Sequence, residues 1–153
     1  LHAHDLLDEV LYDTGSPLAR RATQIIFELT ERASLGEIPQ LAERIAMLRS
    51  CGFRIAIDDM GAGYSGLNSF ATLRPEFVKL DMALVRGIQI DTPTQRVARM
   101  LIDLCTDLNI GVVGEGVETA SERDTLVSFG CDLLQGYLFA RPGAAFPEPR
   151  FDA

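Results

Sequence analysis

Residues 53–59, Phe53-Arg54-Ile55-Ala56-Ile57-Asp58-Asp59, form a short apolar run closed by two carboxylates. The same form recurs in Ile25-Ile26-Phe27-Glu28, Phe77-Val78-Lys79-Leu80-Asp81, Ile110-Gly111-Val112-Val113-Gly114-Glu115 and Cys131-Asp132-Leu133-Leu134-Gln135. Runs this short and this apolar read as buried strands of a parallel sheet. Each finishes on charged or amide groups. Polar side chains at the C-terminal ends of parallel strands describe the top rim of a (β/α) barrel, where active sites lie. Several carboxylates and one lysine converging on that rim would make a divalent-metal site.

The segments between the runs carry helix signals. Ser34 followed by Glu37 is a capping box, and Leu35, Ile38, Leu41, Ile45 and Leu48 keep helical spacing until Gly52. Thr92-Pro93-Thr94-Gln95 starts a second helix, with Val97, Leu101, Leu104 and Leu108 expected to face the core. Thr119-Ala120-Ser121-Glu122 starts a third, which runs to Phe129 and stops at Gly130. With a helix over about 4–12 and a short one near 66–73, helices and strands alternate along the chain, and alternation requires a parallel sheet. The Pro-rich end from Pro142 lacks a period and reads as a surface tail. An eight-stranded barrel typically takes about 250 residues. Five strands in 153 residues therefore fit either an open sheet or the C-terminal part of a barrel.

Composition narrows the function. Apolar residues make up 47% of the chain and charged ones 24%, ordinary globular usage. A net charge of −8 argues against a nucleic-acid polymer as partner. A phosphorylated ligand remains compatible, because bound divalent ions invert the local field. No apolar run approaches the ~18 residues of a membrane span, and the first residues lack the pattern of a signal peptide. The expected location is the cytoplasm, with a membrane-tethered parent left open. Cys51, Cys105 and Cys131 are odd in number and widely spaced, as for buried free thiols. His2 and His4, at a terminus without partner ligands, are not read as a metal site.

Gly61, Gly63 and Gly66 match the G-x-G-x-x-G of dinucleotide-binding turns. The two carboxylates just before them would repel a pyrophosphate unless metal neutralised them, so that reading fails on electrostatics. Asp58 and Asp59 suit metal binding better. Adjacent strand residues point to opposite sides, but a bend into the following loop would let both approach one ion cluster. A turn or helix cap is the plain alternative for the pair. Glu28, Glu115 and Lys79 at equivalent strand ends weigh against it.

Taken together, these motifs resemble the EAL domain family, the cyclic-di-GMP phosphodiesterases. Phe27-Glu28-Leu29-Thr30-Glu31 resembles the family's E-L-T-E segment, and Asp58-Asp59-Met60-Gly61-Ala62-Gly63-Tyr64-Ser65 its D-D-F-G-T-G-Y-S loop. Val78-Lys79-Leu80-Asp81 is similar to the lysine strand, Gly114-Glu115-Gly116-Val117-Glu118-Thr119 to A-E-G-V-E-T, and Gln135-Gly136-Tyr137-Leu138-Phe139-Ala140-Arg141-Pro142 to Q-G-Y-x-x-x-x-P. The resemblance implies an EAL-type (β/α)8 TIM-type barrel, here lacking its first strands, over residues 1–142, with 143–153 as a tail. It implies hydrolysis of cyclic-di-GMP to linear pGpG with Mg²⁺ or Mn²⁺, two ions in all. Glu28, Asp58, Asp59 and Glu115 would be metal ligands, with Glu115 either ligand or base. Lys79 would orient the water or offset transition-state charge, and Gln135 would hydrogen-bond a metal-bound water or the substrate. Glu31 would anchor the loop after the paired aspartates, with Gly61, Gly63, Tyr64 and Glu118 in support. The implied partners are a second copy, contacting through that loop, and fused upstream sensory or GGDEF-type domains.

Departures from the pattern are of two kinds. Met60, Ala62 and Gly114 stand where the family usually has Phe, Thr and Ala, which touches loop packing more than chemistry. The E-A-L tripeptide itself, with its glutamate ligand, is absent, as is the asparagine strand. Glu9-Val10-Leu11 imitates the tripeptide but falls inside an amphipathic helix pattern. The chain is therefore expected to begin after the second barrel strand, with roughly 80–100 residues preceding it in the native polypeptide. The fragment alone is expected to be weak or inactive. If the missing ligands are absent from the parent too, the alternative is a non-catalytic cyclic-di-GMP receptor or dimerisation module.

Overall fold

The computed structural model describes residues 17–30, 40–61, 70–71, 73–131 and 133–143. Five strands form one sheet: β1 (Ile26–Thr30), β2 (Arg54–Met60), β3 (Phe77–Leu80), β4 (Gly111–Gly114) and β5 (Leu133–Leu134). They lie side by side in sequence order, and every pair is parallel. Each expected apolar run supplies one strand, although the last pairs over two residues only. The helices are α1 (Leu41–Ser50), α2 (Met82–Val85), α3 (Thr92–Asp107) and α4 (Ala120–Ser128), with a 3₁₀ turn over Ala19–Gln24 before β1. The expected helix at 4–12, the Ser34–Glu37 capping box, most of the helix near 66–73 and residues 144–153 lie outside the described residues. No helix among those described is long and apolar enough to cross a membrane.

Strand alternation divides the sheet into two faces. Ile55, Ile57, Val78, Leu80 and Val112 point to one side and are buried with Ile45, Leu48, Leu101, Ile102, Cys105 and Leu126 of the helices. The registers Glu28↔Ala56, Ala56↔Phe77 and Lys79↔Val113 put Glu28, Asp58, Lys79 and Glu115 in line with the opposite face. Helix packing thus consumes one residue parity and leaves the other for chemistry.

Helix ends follow local rules, with two adjustments. Helix α3 is capped by Asp91, whose carboxylate accepts from the Thr94 hydroxyl at 2.8 Å, and Pro93 is its second residue. Its buried stripe is Ala98, Leu101, Ile102 and Cys105, while Val97 and Leu108 (52% exposed) face outward. Both stripes satisfy helical spacing, and the angle at which α3 lies on β4 selects between them. Asp81, next to β3, caps α2 by accepting from the Ala83 amide at 2.7 Å. None of the three cysteines is in a disulfide: Cys105 and Cys131 are buried, as expected, and Cys51 is half-buried.

Two carboxylate networks, one half-buried and one buried, brace the sheet at its ends. At the strand starts, Glu76 accepts from the Ile55 amide at 2.8 Å and pairs with Arg49 Nε at 2.8 Å, while Arg49 also donates to the Leu73 carbonyl. At the opposite end, Glu122 is only 4% exposed. It completes the expected capping box with Thr119 and accepts from the amides of Gly87 (3.0 Å), Glu118 (2.9 Å) and Thr119 (3.0 Å). That set ties the turn after α2 to the loop after β4. Burial alone would raise the Glu122 pKa, but the three amides outweigh it and hold the carboxyl below its ordinary value.

Replacing Glu122 with Ala is expected to cost about 2–4 kcal/mol, since three backbone donors lose their acceptor. Because the folded pKa is depressed, the carboxylate's contribution is complete above the unfolded value of ~4.3 and is lost as pH falls through the folded one. Urea unfolding of wild type and Glu122→Gln at pH 7 and pH 3.5 should therefore give a stability gap that narrows on acidification. A constant gap would contradict this assignment.

Candidate active site at the strand ends

Three expected site carboxylates meet around a single ammonium. Lys79 Nζ lies 2.9 Å from Glu28 Oε2, 3.1 Å from Asp58 Oδ1 and 2.8 Å from Glu115 Oε1. The lysine side chain is only 11% exposed, against 49% for Glu28 on the edge strand. Burial would lower the Lys79 pKa, yet hydrogen bonds to Glu115, Glu28 and Asp58 more than reverse this and hold the ammonium protonated well above its ordinary range. Burial raises the Glu115 carboxyl; Lys79 opposes the shift, the negative Asp58 and Glu28 reinforce it, and the net direction is upward.

The paired aspartates reach the rim by a device that their spacing alone does not reveal. The strand does not bend away after Ile57. Ile57 pairs with Val78 and Met60 with Leu80, so Asp58 and Asp59 together stand opposite Lys79 alone. This is a β-bulge, a feature that re-aims side chains beside functional sites. Asp59 takes up the extra residue with φ +59°, the left-handed region that Asp tolerates better than most side chains. Its amide donates to Asp58 Oδ1 at 3.0 Å, the same oxygen that Lys79 approaches, and so helps fix that carboxylate. The bulge also reverses the facing of Met60, which is buried in the core instead of on the polar face.

The remaining expected residues divide. Gln135 follows β5 at the same end of the sheet, exposed and outside the Lys79 cluster. Its position is fixed by its backbone, which bonds Gly114 O and Val117 N. Gly136 is required there, because a Cβ would lie 2.1 Å from the Val117 carbonyl oxygen. Glu118 turns away to a bidentate ion pair with Arg86 Nη1 and Nη2. Arg86 and Glu122 are the positioning residues that the sequence reading did not single out; only the capping-box spacing pointed to Glu122, and nothing pointed to Arg86. Gly61 follows β2 with φ +101° and packs on Leu84, which a Cβ would meet at 2.3 Å. Glu31, Gly63 and Tyr64 lie outside the described residues.

Glu28, Asp58, Asp59 and Glu115 offer carboxylate oxygens, the donors that Mg²⁺ and Mn²⁺ take, so they fit such ions in kind. Their present spacing is set by the ammonium. Nζ–O distances of 2.8–3.1 Å exceed the ~2.0–2.1 Å of a Mg²⁺–O contact. Among the described residues, no three His, Cys, Asp or Glu side chains close on a common point able to hold an ion.

The EAL domain model matches residues 2–142. The chain is 37% identical over 136 residues to the probable cyclic di-GMP phosphodiesterase PdeG of Escherichia coli (strain K12), covering 89% of this chain and 27% of that protein. It is 35% identical over 133 residues to the blue light- and temperature-regulated antirepressor BluF of the same organism, covering 83% and 33%. Among solved structures, the manganese/cy-diGMP complex of Klebsiella pneumoniae BlrP1 at pH 9.0 superposes with a TM-score of 0.76 at 39% identity, covering 91% of this chain and 34% of that one. The chain spans about a quarter to a third of the length of these curated relatives.

The bulge makes a prediction that separates backbone from carboxylate. Asp59→Gly and Asp59→Val both delete the acid, but only glycine accepts the left-handed conformation freely. The valine variant is expected to be less stable than the glycine variant by about 1–2 kcal/mol in urea unfolding. Equal midpoints would be incompatible with the bulge.

Proposed function

The chain belongs to the EAL domain family, of the TIM-barrel type, and from that footing we propose that its strand-end cluster serves a divalent-metal-dependent hydrolysis of cyclic-di-GMP to linear pGpG. The observation that carries this reading is the convergence of Glu28, Asp58 and Glu115 on Lys79, with Asp59 brought to the same rim by the bulge. In this proposal Glu28, Asp58, Asp59 and Glu115 hold two Mg²⁺ or Mn²⁺ ions. When bound, such ions lower the pKa of water to make a nucleophile and neutralise phosphate charge.

The chain's own groups supply the rest. Lys79 presents a positive charge to the phosphate, whose negative charge grows as water adds to phosphorus and one ring P–O bond breaks. Glu115, whose carboxyl burial pushes above its ordinary value, serves either as a ligand or as the base that takes the water's proton, which ends on the leaving oxygen. Gln135, exposed and fixed by its backbone, donates to the substrate. Pairing of two copies through the loop after Asp59, and fusion to sensory or GGDEF-type domains, belong to the same proposal. A second reading, a receptor that binds cyclic-di-GMP without cleaving it, is favoured by the similarity to an antirepressor.

Chromatographic detection of pGpG after incubating cyclic-di-GMP with Mn²⁺ distinguishes these readings in the longest native polypeptide carrying this chain. Hydrolysis is expected, and Asp58→Asn or Glu115→Gln should each lower kcat by at least about 100-fold. Cyclic-di-GMP bound but left intact would move the assignment to the receptor.

A further inference from the structure

Lys79 makes three ion pairs, and an ammonium has three N–H donors. Glu28, Asp58 and Glu115 thus use its full donor capacity, in a place where the lysine is almost shielded from water. The three acids come from three different strands, β1, the end of β2 and the residue after β4. Nothing else among the described hydrogen bonds and ion pairs neutralises Glu28 or Glu115. Like charges brought this close repel, more strongly between the largely shielded Asp58 and Glu115 than at the half-exposed Glu28. The ammonium therefore offsets the repulsion among three acids that the strand packing brings together.

The same contacts bear on metal binding. A divalent ion held by these oxygens needs contacts near 2.0–2.1 Å, whereas the ammonium spaces them for 2.8–3.1 Å. Both cations cannot own the same carboxylate edges. We infer that Lys79 is the resident counter-cation of this site, holding Glu28, Asp58 and Glu115 together while no divalent ion is bound and giving up those contacts as one enters. The inference rests on the divalent-ion part of the proposed function, and not on hydrolysis. Its consequence is reciprocal: the lysine stabilises the metal-free protein and weakens metal affinity by the same coupling. A flexible four-carbon stem lets the ammonium withdraw without moving β3, which an arginine fork would do less readily.

The test uses Mn²⁺ alone as the probe, on chelator-treated protein, with thermal midpoints and calorimetric titration as readouts. Lys79→Met is expected to lower the metal-free midpoint by about 4 °C or more and to tighten Mn²⁺ binding by about tenfold. Lys79→Arg should restore most of the midpoint. Glu28→Gln supplies the control that survives a poorly folding variant: in wild type it removes an attraction and lowers the midpoint, whereas beside Lys79→Met it removes a repulsion and raises it. Equal Mn²⁺ affinity with and without the ammonium, or the same sign for Glu28→Gln in both backgrounds, overturns the inference. Absence of Mn²⁺ binding in every form would overturn it differently, by removing the divalent-ion reading on which it stands.

Discussion

Three carboxylates sharing one shielded ammonium set the terms for the rest of this structure. The arrangement needs β1, β2, β3 and β4 to end together, in registers that present one residue parity to the same side. Lys79 Nζ can reach Glu28, Asp58 and Glu115 only because the helices bury the alternate parity of the same strands, including Ile57, Val78, Leu80 and Val112. Hydrophobic burial supplies the driving force and fixes the register; the polar rim inherits its geometry from that packing. A shift of one residue in any strand would exchange a site side chain for a core one.

The loops are held by a different kind of force. Glu122 and Glu76 are carboxylates used as acceptors for backbone amides, one at each end of the sheet. Neither takes part in the Lys79 cluster. Their role is to keep the residues around the rim and the strand starts in place without relying on apolar contact, which is scarce in loops. Gly136 and Gly61 work at the same scale, permitting backbone and Leu84 approaches that any Cβ would block. The chemistry of the rim is in this way insulated from the looseness that loops otherwise bring.

Much of this was legible in the chain. Short apolar runs such as Ile110–Val113 and capping residues such as Thr119 and Glu122 depend on neighbours within four residues, so local spacing is enough to place them. Lys79 and the acids at strand ends could be picked out for the same reason, since a charge after an apolar run is a local signal. The choice of the buried stripe on α3 was not legible. Val97, Leu101, Leu104 and Leu108 satisfy helical spacing as well as Ala98, Leu101, Ile102 and Cys105 do, and only the packing partner distinguishes them.

By itself, the sequence determined the alternation of strands and helices, the identity of the rim residues and membership of the EAL family. Those follow from period, capping and motif, all properties of contiguous residues. Tertiary structure alone decided that Asp58 pairs with Lys79 and shares its register position with Asp59 through a bulge, that Arg86 captures Glu118, and that Glu122 binds the amide of Gly87 thirty-five residues away. Each joins segments distant along the chain, where register and loop path, rather than local preference, fix which groups meet.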